Sequence, residues 1–305
     1  MNRLKQYLDT FSFRKYFYVF VGAVAVLCVF TPSFQITEEI KNQFSIQLPQ
    51  LPLSPGELFV IKSNKGFLTA YSEGKKTSPL NFQKHLFAVS LYQDTALTLH
   101  GQFDLKKGHI FSHPKDYYFI KNLKVKYKNK KNKGNKLRLP SSVWKKVNKK
   151  EKMALEKIKI KNVFNKEYKF DAKFQWQHPL NSYIVSRFGT SRTLPNGRSY
   201  FHSGMDFRAP VGTNIVAAAP GLVVFNEHMT VSGNSIVLYH GHQIFTRYMH
   251  LSEFKVANGD IVNQGDVIGL SGQTGRVEGP HLHYELIWNG LSISPEQGLK
   301  VLSQL

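Results

Sequence analysis

From Trp176 onward the chain is written in short apolar runs broken by glycine, proline and asparagine. HPLNSYIVSRFG, NIVAAAPGLVVFNE, NSIVLYH, HQIFTRYMHL and HLHYELIW are rich in β-branched and aromatic residues. Runs this short, punctuated this often, are strands joined by turns rather than amphipathic helices. This feature restricts residues 173–305 to an all-β domain, with a helical pattern only at Pro295–Leu302. Inside it, NGDIVNQGDVIG repeats a Gly-Asp-Ile/Val unit, and that spacing predicts a hairpin with glycine in its turns.

The other residues divide by composition. Residues 56–125 contain LFVIKS, GFLTAYSE, HLFAVSLY and TALTLHGQF, which predict a small all-β module. Residues 36–55, with Pro49, Pro52 and Pro55, read as a linker. In residues 1–35, Arg3, Lys5, Arg14 and Lys15 precede an uncharged apolar run, Tyr16–Phe30, extendable to Phe34. That is the pattern of an export signal. The sequence after it is bulky where a signal peptidase needs small residues. An uncleaved N-terminal membrane helix over residues 16–34 is therefore preferred to a cleaved signal peptide, and the basic end stays cytoplasmic. The expected location is the periplasm, either anchored in the inner membrane or released. The one cysteine, Cys28, lies in that run, so no intrachain disulfide forms.

The net charge of +21 is concentrated rather than general. Residues 121–170 hold nineteen basic and three acidic residues, whereas residues 171–305 hold nine of each. The charge thus says nothing about the chemistry of the last third. Residues 126–172 read as a lysine-rich linker. A helix is expected within it from Ser142 to Ile158, capped by Ser141 or Ser142, with Met153, Leu155 and Ile158 as its apolar positions. Residues 121–170 suit an anionic membrane surface or an acidic wall polymer. Nucleic acid is a poor partner, since the belt has few aromatics for base stacking and the chain is exported.

Four of the twelve histidines stand apart by context. In His202-Ser-Gly-Met-Asp206, an imidazole and a carboxylate four residues apart share one side of a near-extended chain. In His281-Leu-His283, a strand's period of two sends both rings to one face and Leu282 to the other. His250 ends the run TRYMHL, where alternation is imperfect. One carboxylate and two imidazoles make a three-ligand set that zinc accepts, leaving a position for water. Two further histidines beside it can take a proton or stabilise an oxyanion. That is the inventory of metal-assisted amide hydrolysis. Other hydrolytic arrangements are absent from the sequence: there is no HExxH, no GxSxG and no P-loop, and the only cysteine lies in the export segment.

HSGMDFRAPVGTNIVAAAPGLV, YMHLSEF and NGDIVNQGDVIGLSGQTGRVEGPHLHYEL, in this order, resemble the lysostaphin/LytM-type zinc metallopeptidases of bacteria. The resemblance runs from about Trp176 to Pro295. It implies an all-β LytM-type metallopeptidase domain holding one Zn²⁺ per chain, with His202, Asp206 and His283 as metal ligands. It implies His250 and His281 as the catalytic pair, and peptide cross-links of peptidoglycan as the substrate. The module at 56–125 is more loosely similar to an Ig-like region of exported relatives. The family also contains members that have lost ligands and only activate other wall hydrolases, but all five positions here hold the residue types of an active enzyme. A carrier-domain reading of the GD-x-V repeat fails, because no lysine lies between Lys255 and Lys300.

Overall fold

In the computed structural model, the glycine-punctuated runs of the last third build one eight-stranded sheet and a smaller sheet beside it. The structure describes residues 135–171 and 175–304. Before them it describes residues 46–47, 53, 54, 56–63, 67–72, 75–76, 78–81, 84–88, 97–103 and 117–123. The expected membrane helix within residues 1–35, most of the 36–55 linker and the start of the lysine-rich belt lie outside the described residues. No described helix is long and apolar enough to cross a membrane.

The first elements are β1 (Ile46–Gln47), β2 (Leu58–Ser63), β3 (Phe67–Ser72), β4 (Lys75–Lys76), β5 (Ser78–Asn81), β6 (Lys84–Ala88), β7 (Leu97–Phe103) and β8 (Tyr117–Leu123). They form two four-stranded sheets, ordered β1-β2-β6-β5 and β4-β3-β7-β8. The connections that would define an Ig-like topology, such as residues 89–96 and 104–116, lie outside the described residues. This part docks on the chain's far end. The side chain of Gln297 accepts from the backbone N–H of Leu58 at 2.9 Å and donates to its carbonyl at 2.6 Å. Leu58 and Leu86 share an apolar cluster with Trp288, Ile293 and Leu302.

Next come β9 (Asn135–Lys136), α1 (Ser141–Val147) and α2 (Lys150–Asn165). The single helix expected from Ser142 to Ile158 is thus two helices, broken at Asn148, and Pro140 rather than a serine stands at the first N-cap, with no side-chain cap. The expected apolar face also differs. Leu155 and Ile158 are 69% and 57% exposed. Ile160, Val163 and Phe164 form the buried stripe instead, because their spacing of three and four puts them on one face. They pack, with Tyr168 and Phe170, on Phe225, Tyr239, Phe245 and Ile287. The rings of Phe164 and Phe245 meet edge to face at 5.3 Å. The Glu156 carboxylate accepts from the backbone N–H and hydroxyl of Thr230 at 2.9 and 2.7 Å. The end of the lysine-rich segment is therefore a packed part of the C-terminal unit.

The remaining strands are β10 (Ile184–Ser186), β11 (Ser191–Thr193), β12 (Ser199–Phe201), β13 (Met205–Arg208), β14 (Asn214–Val216), β15 (Gly221–Met229), β16 (Gly233–Tyr239), β17 (Ile244–Leu251), β18 (Glu253–Phe254), β19 (Ile261–Val262), β20 (Val267–Leu270), β21 (His281–Trp288) and β22 (Leu291–Ile293), before helix α3 (Pro295–Leu302). The main sheet runs β10-β13-β21-β17-β16-β15-β19, with β22 also on β21. A second sheet is ordered β14-β20-β18. Met205, Phe207, Ile236, Leu238, Tyr248, Leu282 and Tyr284 form the core with Ile215 and Ile268 of the second sheet.

The hairpin expected at NGDIVNQGDVIG does not form. β19 pairs with β15, and β20 pairs with β14 and β18. The two Gly-Asp units instead close two separate local turns: Asp260 accepts from the Ala257 N–H and Asp266 from the Asn263 N–H, both at 2.7 Å. Each turn has its glycine at positive φ, Gly259 at 96° and Gly265 at 89°. The repeat reports two like turns, and their exits lead to different sheets.

Candidate metal centre

β21 sits mid-sheet, and its parity sorts its residues. Leu282 and Tyr284 enter the core, while His281, His283 and Glu285 face the other side. Asp206 on β13 lies directly across from His283, and Arg208 across from His281. His202 precedes β13 and is buried. Gly204, between His202 and Asp206, is required by close approach: a Cβ there would lie 2.3 Å from the Tyr284 carbonyl and 2.8 Å from His283 Nε2. His250 arrives from β17 at a register shift between Asn234 and Ile236 of the β16 pairing, and its φ is 64°. This bulge explains the imperfect alternation of TRYMHL, and left-handed backbone at a non-glycine residue is the strain that functional sites store.

Three donor atoms meet in this arrangement. His202 Nε2 and His283 Nδ1 are 2.8 Å apart, and Asp206 Oδ1 is 3.0 and 2.8 Å from them. The far nitrogens fix their protonation. His202 Nδ1 lies 3.0 Å from the Arg187 carbonyl, which can only accept, so that nitrogen carries the hydrogen. His283 Nε2 faces the Glu285 carboxylate at 3.3 Å and donates to it. Two imidazole nitrogens and a carboxylate oxygen thus face one another, with the outer nitrogens turned to acceptors. Burial opposes a charge on His283, but Asp206 and Glu285 outweigh this and hold its pKa up at about 9. Donor atoms this close can share one ion at bonds of about 2.0–2.2 Å after a small outward shift. The outward hydrogen bonds to a carbonyl and a carboxylate are the usual support for metal-binding histidines. The donor set fits a divalent transition metal.

The site's charges support this. Burial would raise the Asp206 pKa, but His202 and His283 hold it far below the usual carboxylate range. Its other oxygen, Oδ2, accepts from Arg192. Burial lowers the pKa of His202 against the pull of Asp206. Glu285 is kept ionised, at about 2, because His283 and Arg247 outweigh its burial.

His250 and His281 lie together beside the three donors, their ring centroids 4.9 Å apart. Each spends Nδ1 as a donor: His250 on the Thr274 carbonyl at 2.8 Å, His281 on the Gly279 carbonyl at 2.9 Å. Both therefore present a bare Nε2, and that of His281 is 3.8 Å from Asp206 Oδ1. Burial lowers both pKa values, for His250 with help from the neighbouring His281, so both rings are neutral at physiological pH.

The segment around this constellation, residues 200–295, matches the profile of peptidase family M23. These residues are a peptidase family M23 domain. The chain is 43% identical over 121 residues to the peptidoglycan DD-endopeptidase ShyA of Vibrio cholerae serotype O1, covering 39% of this chain and 28% of that protein. It is 44% identical over 94 residues to the DD-carboxypeptidase/endopeptidase Mpg of Neisseria meningitidis serogroup B, covering 31% of this chain and 22% of that one. The chain thus spans about a quarter of the length of the curated relatives it matches. A Pseudomonas aeruginosa structure assigned to peptidase M23 shares the fold, with TM-score 0.57 and 20% identity over 83% of this chain and 96% of that one.

All five histidine and aspartate positions singled out in the sequence meet at this M23 site. Sequence reasoning missed Arg192, Glu285 and Thr274. Glu285 carried a usable signal, since it continues the parity of His281 and His283. Arg192 and Thr274 carried none, because their roles depend on which loops come together.

Proposed function

We propose that this protein is an exported zinc-dependent endopeptidase that hydrolyses peptide cross-links of peptidoglycan. The observation that carries the proposal is the convergence of His202 Nε2, His283 Nδ1 and Asp206 Oδ1 within 3.0 Å of one another, beside two neutral histidines. The DD-endopeptidase names of the matched relatives support the substrate class. Zn²⁺ suits a ligand set of two imidazoles and one carboxylate. Bound there, the ion would supply Lewis acidity, making a water acidic and polarising the amide carbonyl.

The chain's own residues do the rest. The Nε2 atoms of His250 and His281 accept a proton from the attacking water. Protonated, either ring can stabilise the developing oxyanion or return the proton to the departing amine. Their Nδ1 bonds to fixed carbonyls keep Nε2 aimed inward throughout. The Arg192 guanidinium neutralises the second oxygen of Asp206 and restrains its rotation. Export rests on the basic-then-apolar pattern of residues 1–35, and the lysine-rich segment offers a surface for anionic polymer or headgroups.

Two substitutions separate binding from chemistry. His283→Ala is expected to lose the metal and all activity. His281→Ala is expected to keep one zinc per chain while kcat falls by about 10²- to 10⁴-fold. Near-wild-type hydrolysis by His281→Ala would overturn the assigned roles.

A further inference from the structure

One cation near the centre is unused by this mechanism. Arg276 is partly buried and lies over the Tyr200 ring, 5.4 Å from its centroid. The arginine ion pairs among the described residues are Arg187–Glu296, Arg192–Asp206 and Arg247–Glu285. Arg276 and Arg198 are in none. Burial opposes the charge of Arg276, Tyr200 supports it, and Arg198 and Arg192 oppose it again. The acidic neighbour Glu278 is committed elsewhere, accepting from the backbone N–H of Arg138. A half-buried guanidinium over a tyrosine whose cross-strand partner is another arginine, with no carboxylate among the described residues in ion-pair reach, is an arrangement that an anion relieves.

The position is fixed by a loop that also orients a reacting group. Arg276 belongs to the loop whose Thr274 carbonyl orients His250. That loop is pinned: Thr274 Oγ1 donates to the Leu251 carbonyl at 2.8 Å, and the Arg276 N–H donates to the Val231 carbonyl at 2.8 Å. Tyr200, under the guanidinium, is two residues from His202. Arg192 bridges the two places, since it holds Asp206 and is the cross-strand partner of Tyr200, whose ring lies under Arg276.

We propose that Arg276, flanked by Arg198 and Arg192, is the recognition site for a free carboxylate that the peptide substrate carries next to the scissile amide, on the residue whose amine is released. This deepens the peptidase reading and rests on it. The chemistry selects among cross-links. An amide to the amino group of a D-centre that keeps its α-carboxylate, as in D-Ala–diaminopimelate, offers the anion. The interior bonds of a glycine bridge do not.

The test uses the full-length zinc-loaded protein and two probes: a D-Ala–diaminopimelate cross-linked dimer, and the same dimer with that carboxylate converted to a carboxamide. Wild type is expected to prefer the carboxylate form by about 10- to 100-fold in kcat/KM, the size of a charge-assisted contact. Arg276→Gln should bring the ratio close to 1, chiefly through KM for the carboxylate form, with one zinc per chain retained. Arg276→Lys should restore part of the preference. Wild type cleaving both probes equally, or Arg276→Gln keeping the preference, would overturn the anion site while leaving the peptidase reading intact. Wild type cleaving neither probe would overturn the peptidase reading and this one with it.

Discussion

His283 is held between two carboxylates, and each has a separate task. Asp206 Oδ1 lies 2.8 Å from its inner nitrogen, and Glu285 receives the outer N–H at 3.3 Å. Glu285 in turn accepts from the Ser203 hydroxyl and faces Arg247 at 3.6 Å. Glu285→Gln keeps the shape but weakens this support, so zinc affinity is expected to fall by about 10- to 100-fold in a chelator competition, with the fold unchanged by circular dichroism. A second buried histidine gives a pH signature apart from the metal. His240 donates Nδ1–H to the Pro220 carbonyl at 2.7 Å and accepts from Thr246 at 2.8 Å. Burial, only partly offset by the Pro220 bond, lowers its pKa to about 4. Between that value and an unfolded value of about 6.5, the unfolded chain binds more protons, so stability falls as pH falls through this window and is unaffected by this group above it. Metal-free protein is expected to lose about 2 kcal/mol between pH 7 and pH 5 from this residue. Urea unfolding of His240→Asn at both values should show a correspondingly smaller loss; an equal loss would mean His240 is not the titrating group.

Helix α2 shows where local pattern stops being informative. Its apolar residues form two sets, Met153-Leu155-Ile158 and Ile160-Val163-Phe164. Leu155 and Ile158 of the first set are exposed while the second set meets the sheet, and the choice is made by Phe225, Phe245 and Ile287, which are remote in sequence. Ile160→Ala is therefore expected to cost about 2–4 kcal/mol, and Leu155→Ala less than about 0.5 kcal/mol. Equal costs in denaturant unfolding would mean the helix lies on its other face. β21 behaved differently: its period of two placed His281 and His283 on one face and Leu282 in the core, as its sequence alone implies. The failed hairpin at NGDIVNQGDVIG lies between these cases. Gly259 and Gly265 mark turns correctly, but a turn does not name the strand's partner.

Across the whole molecule, legibility follows the range of the interactions. The β character of residues 173–305 could be read because strand period and residue type are local properties, whereas the five proposed site positions were singled out by the resemblance of three separated motifs. The packing of α2 on the sheet, the Gln297 clasp on Leu58, and the approach of Arg192 and Thr274 to the site depend on contacts between distant segments, which composition does not encode. Removing the clasp with Gln297→Ala is expected to destabilise the junction of β2 and α3 by about 1–2 kcal/mol without changing zinc content. The proposal that the His202–Asp206–His283 site supports metal-dependent peptidoglycan hydrolysis can be checked by chromatography of muropeptides from purified sacculi treated with the protein. Cross-linked dimers are expected to convert to monomers, a chelator to stop the conversion and added zinc to restore it. Dimers left unchanged by zinc-loaded protein would contradict it.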